Sequence, residues 1–221
     1  MTPPVRVLLA DDQALLRVSL ATVLGADERI EVVGTVADGR AAVTAVQQRS
    51  VDVVLMDIRM PVLDGIAATA QVVRLSPRTR VLALTTFDLD ELVLAALRAG
   101  ASGYLTKDAR PAVLIDAICD VAAGNSALAP AAAASLVEHV RRTAEPRPRA
   151  VAQLSPRERE VFDLIAAGRS NGEIGAQLHL TQNTVKTHVR AVLTKLDLRD
   201  RVHVVIFAYE NGLAGPPHPA G

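Results

Sequence analysis

Hydrophobic residues in the first 123 positions fall into five short, nearly continuous runs, and each run precedes a segment with apolar residues at helical spacing. Continuous apolar runs are typical of strands that are covered on both faces. The predicted strands are residues 5–9, 30–36, 51–56, 80–84 and 103–105. The predicted helices are residues 13–24, 39–48, 66–74, 90–99 and 110–123. This alternation predicts an α/β domain, residues 1–123, with a doubly wound, five-stranded parallel sheet and right-handed crossovers.

The pattern changes after residue 123. An alanine run at residues 131–134 gives way to the Pro/Arg-rich stretch Glu145-Pro-Arg-Pro-Arg149, which cannot continue a helix. We interpret residues 124–152 as a linker, with residues 130–142 as a candidate short helix.

Signals from residue 154 onward are all helical. Ser155 with Glu158 and Ser170 with Glu173 form two capping-box patterns, Thr181 can cap a third helix, and Asp200 can begin a fourth. We therefore predict a small all-α domain of four short helices at residues 153–214, followed by a disordered tail at residues 215–221.

Composition narrows the class of protein. Aromatic residues make up only 2% of the chain, which argues against binding single-stranded nucleic acid by base stacking. The single cysteine, Cys119, excludes an internal disulfide and fits a reducing compartment. The most apolar stretch, residues 127–137, is too short to span a bilayer, so we expect a cytoplasmic protein without a membrane partner. Residues 153–221 hold 8 Lys/Arg and 7 Asp/Glu, so charge alone does not predict a nucleic-acid partner.

Three carboxylates follow predicted strands. Asp11 and Asp12 come after the first strand, and Asp57 comes after the third. The carboxyl ends of parallel strands meet at one edge, where open α/β sheets bind ligands. Three carboxylates at one place repel each other and attract a hard divalent cation, typically Mg²⁺. The alternative is that they are three unrelated loop or capping acids.

Two further polar residues end strands at the same edge: Thr85 after the fourth and Lys107 after the fifth. A carboxylate such as Asp57 can accept a phosphoryl group when a metal and a lysine neutralise the charge. A hydroxyl can then bond the new phosphate oxygen. Each member has an ordinary alternative: Thr85 as a strand residue, Lys107 as a solvated loop charge, and Tyr104 as a half-buried aromatic.

This segment resembles the receiver domain of two-component response regulators, which has a flavodoxin-like fold. The matching text is Asp11-Asp12, Asp57-Ile-Arg-Met-Pro61, Asp64-Gly65, Thr85-Thr86 and Gly103-Tyr-Leu-Thr-Lys107. The resemblance implies that a partner histidine kinase phosphorylates Asp57. It implies that Mg²⁺ is held by Asp11, Asp12, Asp57 and the Arg59 backbone carbonyl. It also implies that Lys107 pairs with the phosphoryl group and that Thr85 and Tyr104 form the switch pair.

The last helices resemble the helix-turn-helix of the NarL/FixJ subfamily, which has a LuxR-type DNA-binding domain. The matching text is Leu154-Ser-Pro-Arg-Glu-Arg-Glu160, Gly168-Arg-Ser-Asn-Gly-Glu-Ile174 and Thr184-Val-Lys-Thr-His-Val189. The resemblance implies double-stranded DNA as a partner. The family's base-facing positions fall on Lys186, Thr187 and Arg190, and Val185 and Val189 should pack inward.

Basic residues concentrate on and just after the second motif helix. We predict phosphate contacts from Lys195, Arg199 and Arg201, and the alternative is a helix with a solvated basic face. Two departures from the family pattern, Gly172 and Gly175, should each cost up to about 1 kcal/mol relative to alanine.

Together these features predict a transcription factor that acts as a binding switch and is not an enzyme. Phosphorylation should favour a homodimer that binds paired DNA half-sites, with RNA polymerase as a candidate further partner. A phosphohydrolase using an aspartyl phosphate is disfavoured, because Arg59 stands where such enzymes need a second aspartate. A regulator that works without phosphorylation, using its receiver as a dimerisation or ligand platform, is the remaining alternative.

Overall fold

The computed structural model describes residues 3–86, 91–124 and 151–213. Three predicted segments therefore lie outside the described residues: the candidate helix at residues 130–142, nearly all of the linker, and the tail at residues 215–221. The chain divides into two compact units, residues 1–128 and 129–221, and each is described by itself.

The first unit has a parallel five-stranded sheet with strand order β2-β1-β3-β4-β5, which confirms the predicted fold. The strands are β1 (Val5–Ala10), β2 (Ile30–Val36), β3 (Val53–Asp57), β4 (Arg80–Thr85) and β5 (Gly103–Thr106). The helices are α1 (Ala14–Gly25), α2 (Gly39–Gln48), α3 (Gly65–Leu75), α4 (Glu91–Arg98) and α5 (Pro111–Ala122). Each predicted element is present, with ends shifted by at most two residues.

Both faces of the sheet are buried, which explains the continuous apolar runs. Successive strand residues point to opposite faces. On β1, Val7 and Leu9 therefore pack in the core cluster that α1 and α5 cover, where Ile118 is fully buried. Leu8 packs on the opposite face, in the cluster that contains Ala42 of α2 and Val72 of α3.

The loop after β3 folds tightly against the strand end. The Gly65 N–H donates to the Ile58 carbonyl at 2.9 Å, and the Asp64 carboxylate caps α3 through the Ala67 N–H at 2.8 Å. A Cβ atom on Gly65 would overlap the Asp57 carbonyl oxygen. Glycine is therefore required here for the chain to return beside Asp57.

The second unit contains four helices in its described residues: α6 (Pro156–Ala166), α7 (Asn171–Leu178), α8 (Gln182–Lys195) and α9 (Arg201–Glu210). Both predicted capping boxes are formed, and Thr181 and Asp200 cap α8 and α9. The centre of the unit is filled by fully buried side chains: Val161, Phe162, Ile165, Ile174, Val185 and Val192. Val185 thus packs inward as predicted, whereas Val189 is half-buried.

Gly172 and Gly175 have different surroundings near the turn between α7 and α8. His179 ends α7 in the left-handed conformation, and the Leu180 N–H donates to the Gly175 carbonyl at 2.8 Å. A Cβ atom on Gly175 would lie 2.8 Å from the Leu180 carbonyl oxygen, which is closer than real contacts allow. Gly172 has no such neighbour. The expected cost relative to alanine therefore applies to Gly172, while Gly175 gives the turn its close approach.

Candidate functional site

The three predicted carboxylates converge at the carboxyl edge of the sheet. Oxygen atoms of Asp11, Asp12 and Asp57 all lie within 4.8 Å of one another. Asp11 and Asp57 are buried, and Asp12 is exposed. A cleft of about 180 Å³ opens beside them and is lined by Asp12, Gln13, Asp57, Ile58, Arg59, Thr85, Thr86 and Lys107. An all-oxygen donor set on a partly open cleft suits a hard divalent cation.

Lys107 bridges the two buried acids. Its Nζ lies 2.7 Å from Asp11 Oδ2 and 2.8 Å from Asp57 Oδ2, and its side chain is only 9% exposed. Burial lowers the pKa of Lys107, but hydrogen bonds and charge attraction from the two carboxylates outweigh burial, so the pKa is raised. Lys107 is therefore a buried, charged ammonium and not a solvated loop charge.

Asp57 is held in a site that disfavours its ionised form. Burial is the largest influence and raises its pKa, and the neighbouring charge of Asp11 adds to that effect. Lys107 acts in the opposite direction, as does the Arg59 N–H, which donates to Asp57 Oδ1 at 3.3 Å. A cation in the cleft would favour the ionised carboxylate, which is the nucleophilic form.

Asp11 is positioned through nearly all of its polar atoms. Its N–H donates to the Val36 carbonyl at 3.2 Å, and its Oδ1 accepts from the Gln13 N–H at 2.8 Å. Its carbonyl accepts from Arg17 Nη1 at 2.5 Å. Arg17 is not among the predicted site residues. The available signal was a single basic residue among the apolar positions of α1, one and a half turns after the acids.

The predicted switch residues lie on adjacent strands and the same face of the sheet. Thr85 ends β4 and is buried, and Tyr104 of β5 pairs with Ala83 in the parallel register. Residues two apart share a face, so Tyr104 lies diagonally beside Thr85. The Lys107 N–H also donates to the Thr85 carbonyl at 2.7 Å. The end of β4 is thus linked directly to the residue that bridges the acids.

In the helical unit, the three predicted base-facing residues share an exposed face of α8. Lys186, Thr187 and Arg190 are all exposed and are separated by one and by three positions, which places them on one side of a helix. Thr187 donates its hydroxyl to the Asn183 carbonyl at 3.0 Å. This face is free of the apolar contacts that Val185 and Val192 make on the opposite side.

The other predicted DNA-contact residues have different surroundings. Lys195 Nζ lies 2.6 Å from Glu158 Oε2 of α6. Arg201 donates from Nη1 to Asn171 Oδ1 at 3.1 Å, and burial lowers the pKa of Arg201 to about 10. Arg199 is half-buried. Lys195 and Arg201 therefore each have a partner inside the helical unit, and their contact with DNA phosphates stays a prediction.

Comparisons with known proteins agree with both units. Residues 7–119 match the response regulator receiver domain, and residues 152–208 match the bacterial regulatory proteins of the luxR family. The chain belongs to the NarL/LuxR family of response regulators. It is 38% identical to the uncharacterized transcriptional regulatory protein YxjL of Bacillus subtilis (strain 168) over 218 residues, covering 95% of this chain and 97% of that one. It is also 38% identical to the transcriptional regulatory protein LiaR of the same organism over 209 residues, covering 95% and 99%.

A solved structure gives the same result. The response regulator ChrA of a heme-sensing two-component system is 35% identical, with a TM-score of 0.53, covering 96% of this chain and 100% of that one. This response regulator accordingly combines a receiver with a LuxR-type DNA-binding domain and is a transcription regulator, which confirms the predicted function at that level. The described residues contain no helix long and apolar enough to cross a membrane.

Proposed function

We propose that this response regulator is switched by phosphoryl transfer from a partner histidine kinase to Asp57. The observation that carries the proposal is the position of Lys107, whose Nζ is within 2.8 Å of both Asp57 and Asp11. The ionised Asp57 oxygen attacks the phosphorus, an O–P bond forms, and the P–N bond to the kinase histidine breaks. Lys107 neutralises the phosphoryl oxygens that arrive beside it.

Mg²⁺ is the proposed cofactor of this site. Asp11, Asp12, Asp57 and the Arg59 backbone carbonyl would hold it, and all four residues lie at the cleft or in the acid cluster. When bound, the ion neutralises charge on the transferred phosphoryl group. Arg17 and Gln13 keep Asp11 in place for this role through the bonds to its carbonyl and carboxylate.

Phosphorylation is proposed to reach the surface through the switch pair. A phosphate adds a charge of about −1.5 to −2 and new hydrogen-bond acceptors. The Thr85 hydroxyl turns towards it, and the Tyr104 ring follows on the same face of the sheet. The altered surface favours a homodimer, in which two helical units bind paired half-sites on double-stranded DNA in the cytoplasm. RNA polymerase is a candidate further partner.

Phosphorylation is tested with a small phosphodonor and Mg²⁺ on the full chain. Wild type should form an acyl phosphate that is labile to base and to hydroxylamine, and Asp57→Asn should form none. Asp38→Asn is the matched control, because Asp38 caps α2 through the Ala41 N–H and asparagine caps equally well. Equal labelling of Asp57→Asn and wild type would show that another residue is the acceptor.

DNA recognition is proposed to depend on Lys186, Thr187 and Arg190 for bases, and on residues beyond them for phosphates. Loss of a base contact should cost roughly 1–3 kcal/mol and relax sequence preference at one position of each half-site. The half-sites should lie about one helical turn apart, or a multiple of that distance. Binding-site selection with Lys186→Ala and Arg190→Ala tests this assignment. If both variants keep the wild-type motif and only bind more weakly, α8 does not read the bases.

A further inference from the structure

Two adjacent residues in the first turn of α6 hold the ends of both helices of the helix-turn-helix. Arg157 donates from Nη2 to the Leu178 carbonyl, the last residue of α7, at 2.6 Å. Glu158 accepts from Lys195 Nζ, in the last turn of α8, also at 2.6 Å. Each contact spans a large sequence separation, and the Glu158–Lys195 bond adds to the direct packing of α6 on α8.

Glu158 is itself fixed in position. Its Oε2 accepts from the Ser155 N–H at 2.7 Å, so the same oxygen completes the capping box and binds Lys195. The Glu158 side chain is 10% exposed, while that of Lys195 is 41% exposed. The flexible partner is therefore Lys195, and the rigid anchor is the carboxylate at the start of α6.

We propose that Arg157, Glu158 and Lys195 are positioning residues that set the angle of α8 against α7, and that Lys195 acts through Glu158 instead of contacting a DNA phosphate. The pKa of Glu158, lowered to about 2 chiefly by the Lys195 hydrogen bond, is consistent with a charged pair in this place. Because the pair ties the last turn of α8, the helix that carries the proposed base-facing residues, to the start of α6, its loss should appear in DNA discrimination. This proposal rests on the proposed reading of bases by α8.

The test measures binding of the full chain to its selected DNA site and to a random duplex of equal length, across a salt series. Glu158→Gln removes the charge but keeps a capping box, because glutamine also serves at that position. Lys195→Met removes the ammonium. Each variant should lower the ratio of specific to random binding by about tenfold and leave the salt slope unchanged. In the double variant the two effects should be non-additive, because both remove the same pair.

A matched control separates this effect from any loss of surface charge. Arg159 forms an exposed pair with Asp163 within α6, at 2.9 Å, and reaches neither motif helix. Arg159→Gln should leave the discrimination ratio unchanged. The reversed pair, Glu158→Lys with Lys195→Glu, should recover part of the ratio that either single reversal loses.

Two results would overturn the proposal. If Lys195→Met weakens both duplexes alike and lowers the salt slope by about one, Lys195 is a phosphate contact. If Glu158→Gln lowers only the melting temperature, with affinity and ratio unchanged, the pair is merely structural. Failure of the proposed base reading by α8 would look different. Lys186→Ala would then keep the wild-type sequence preference, while wild type would still bind its selected site more tightly than random DNA.

Discussion

Replacing Val62 with glycine should stabilise the receiver, because Val62 holds a backbone conformation that valine rarely adopts. Its φ is +68°, and the Leu63 N–H donates to the Pro61 carbonyl at 2.7 Å, which closes a three-residue turn around it. The left-handed region costs an L-residue with a Cβ atom roughly 1–2 kcal/mol. Glycine avoids that cost but loses more conformational entropy on folding, about 0.5–1 kcal/mol. The Val62 side chain is 80% exposed, so little burial is lost and the net gain should be up to about 1.5 kcal/mol.

Native-state hydrogen exchange of the sheet amides measures this effect in the full chain, because it reports the receiver's unfolding free energy separately from that of the helical unit. Val18→Gly is the control: Val18 is 66% exposed but lies inside α1, where glycine should destabilise by about 0.3–0.5 kcal/mol relative to valine. Hydrogen-exchange protection of the sheet amides should therefore rise in Val62→Gly and fall in Val18→Gly. A loss of protection in Val62→Gly as large as that in Val18→Gly would refute the reasoning.

Three further predictions follow from groups already described. Because burial raises the pKa of Asp57, its carboxyl in the metal-free protein should take up a proton at a pH above the ordinary value of 3.8 in an NMR titration, and added Mg²⁺ should lower that pH. Gly172→Ala should raise helical-unit stability by up to about 1 kcal/mol, and Gly175→Ala should be the less stable variant in thermal denaturation. The pKa of Glu158 in the folded state is lowered to about 2 from its ordinary value of 4.5. Its contribution to the free energy of unfolding is therefore present above pH 4.5 and is lost as the pH falls towards 2. Glu158→Gln should flatten that acid dependence when unfolding is followed by circular dichroism.

The fold could be predicted because its elements are specified locally, by apolar runs and capping residues. The ends of the elements depend on distant partners. The predicted third strand began at Val51, whereas β3 begins at Val53. Asp52 instead accepts from the Arg6 backbone N–H at 2.9 Å and from Arg6 Nη2 at 2.8 Å. No local pattern reveals a pairing across 46 positions.

The acid cluster could be predicted from the chain topology, whereas the surroundings of the predicted DNA-contact residues could not. Convergence of Asp11, Asp12 and Asp57 follows from parallel topology alone, so the sequence sufficed. The base-facing residues were predicted from the family resemblance, whereas the phosphate contacts Lys195, Arg199 and Arg201 were predicted from the concentration of charge on α8 and just beyond it. The concentration of charge cannot show that Glu158 reaches Lys195 across 37 positions, or that Arg201 is half-buried and bonded to Asn171.

Charge balance at the acid cluster indicates how a change at Asp57 can be transmitted. Three carboxylates face one ammonium, so the cluster carries a net charge of about −2 when all are ionised, which a divalent cation would cancel. A phosphoryl group on Asp57 adds a similar negative charge, and Lys107 is the buried ammonium already in contact with Asp57. An ammonium has three N–H donors, and Lys107 directs two of them at Asp11 and Asp57, so a third can meet a phosphoryl oxygen. Since the Lys107 N–H is bound to the Thr85 carbonyl, the residue that meets the phosphoryl group is also joined to the end of β4.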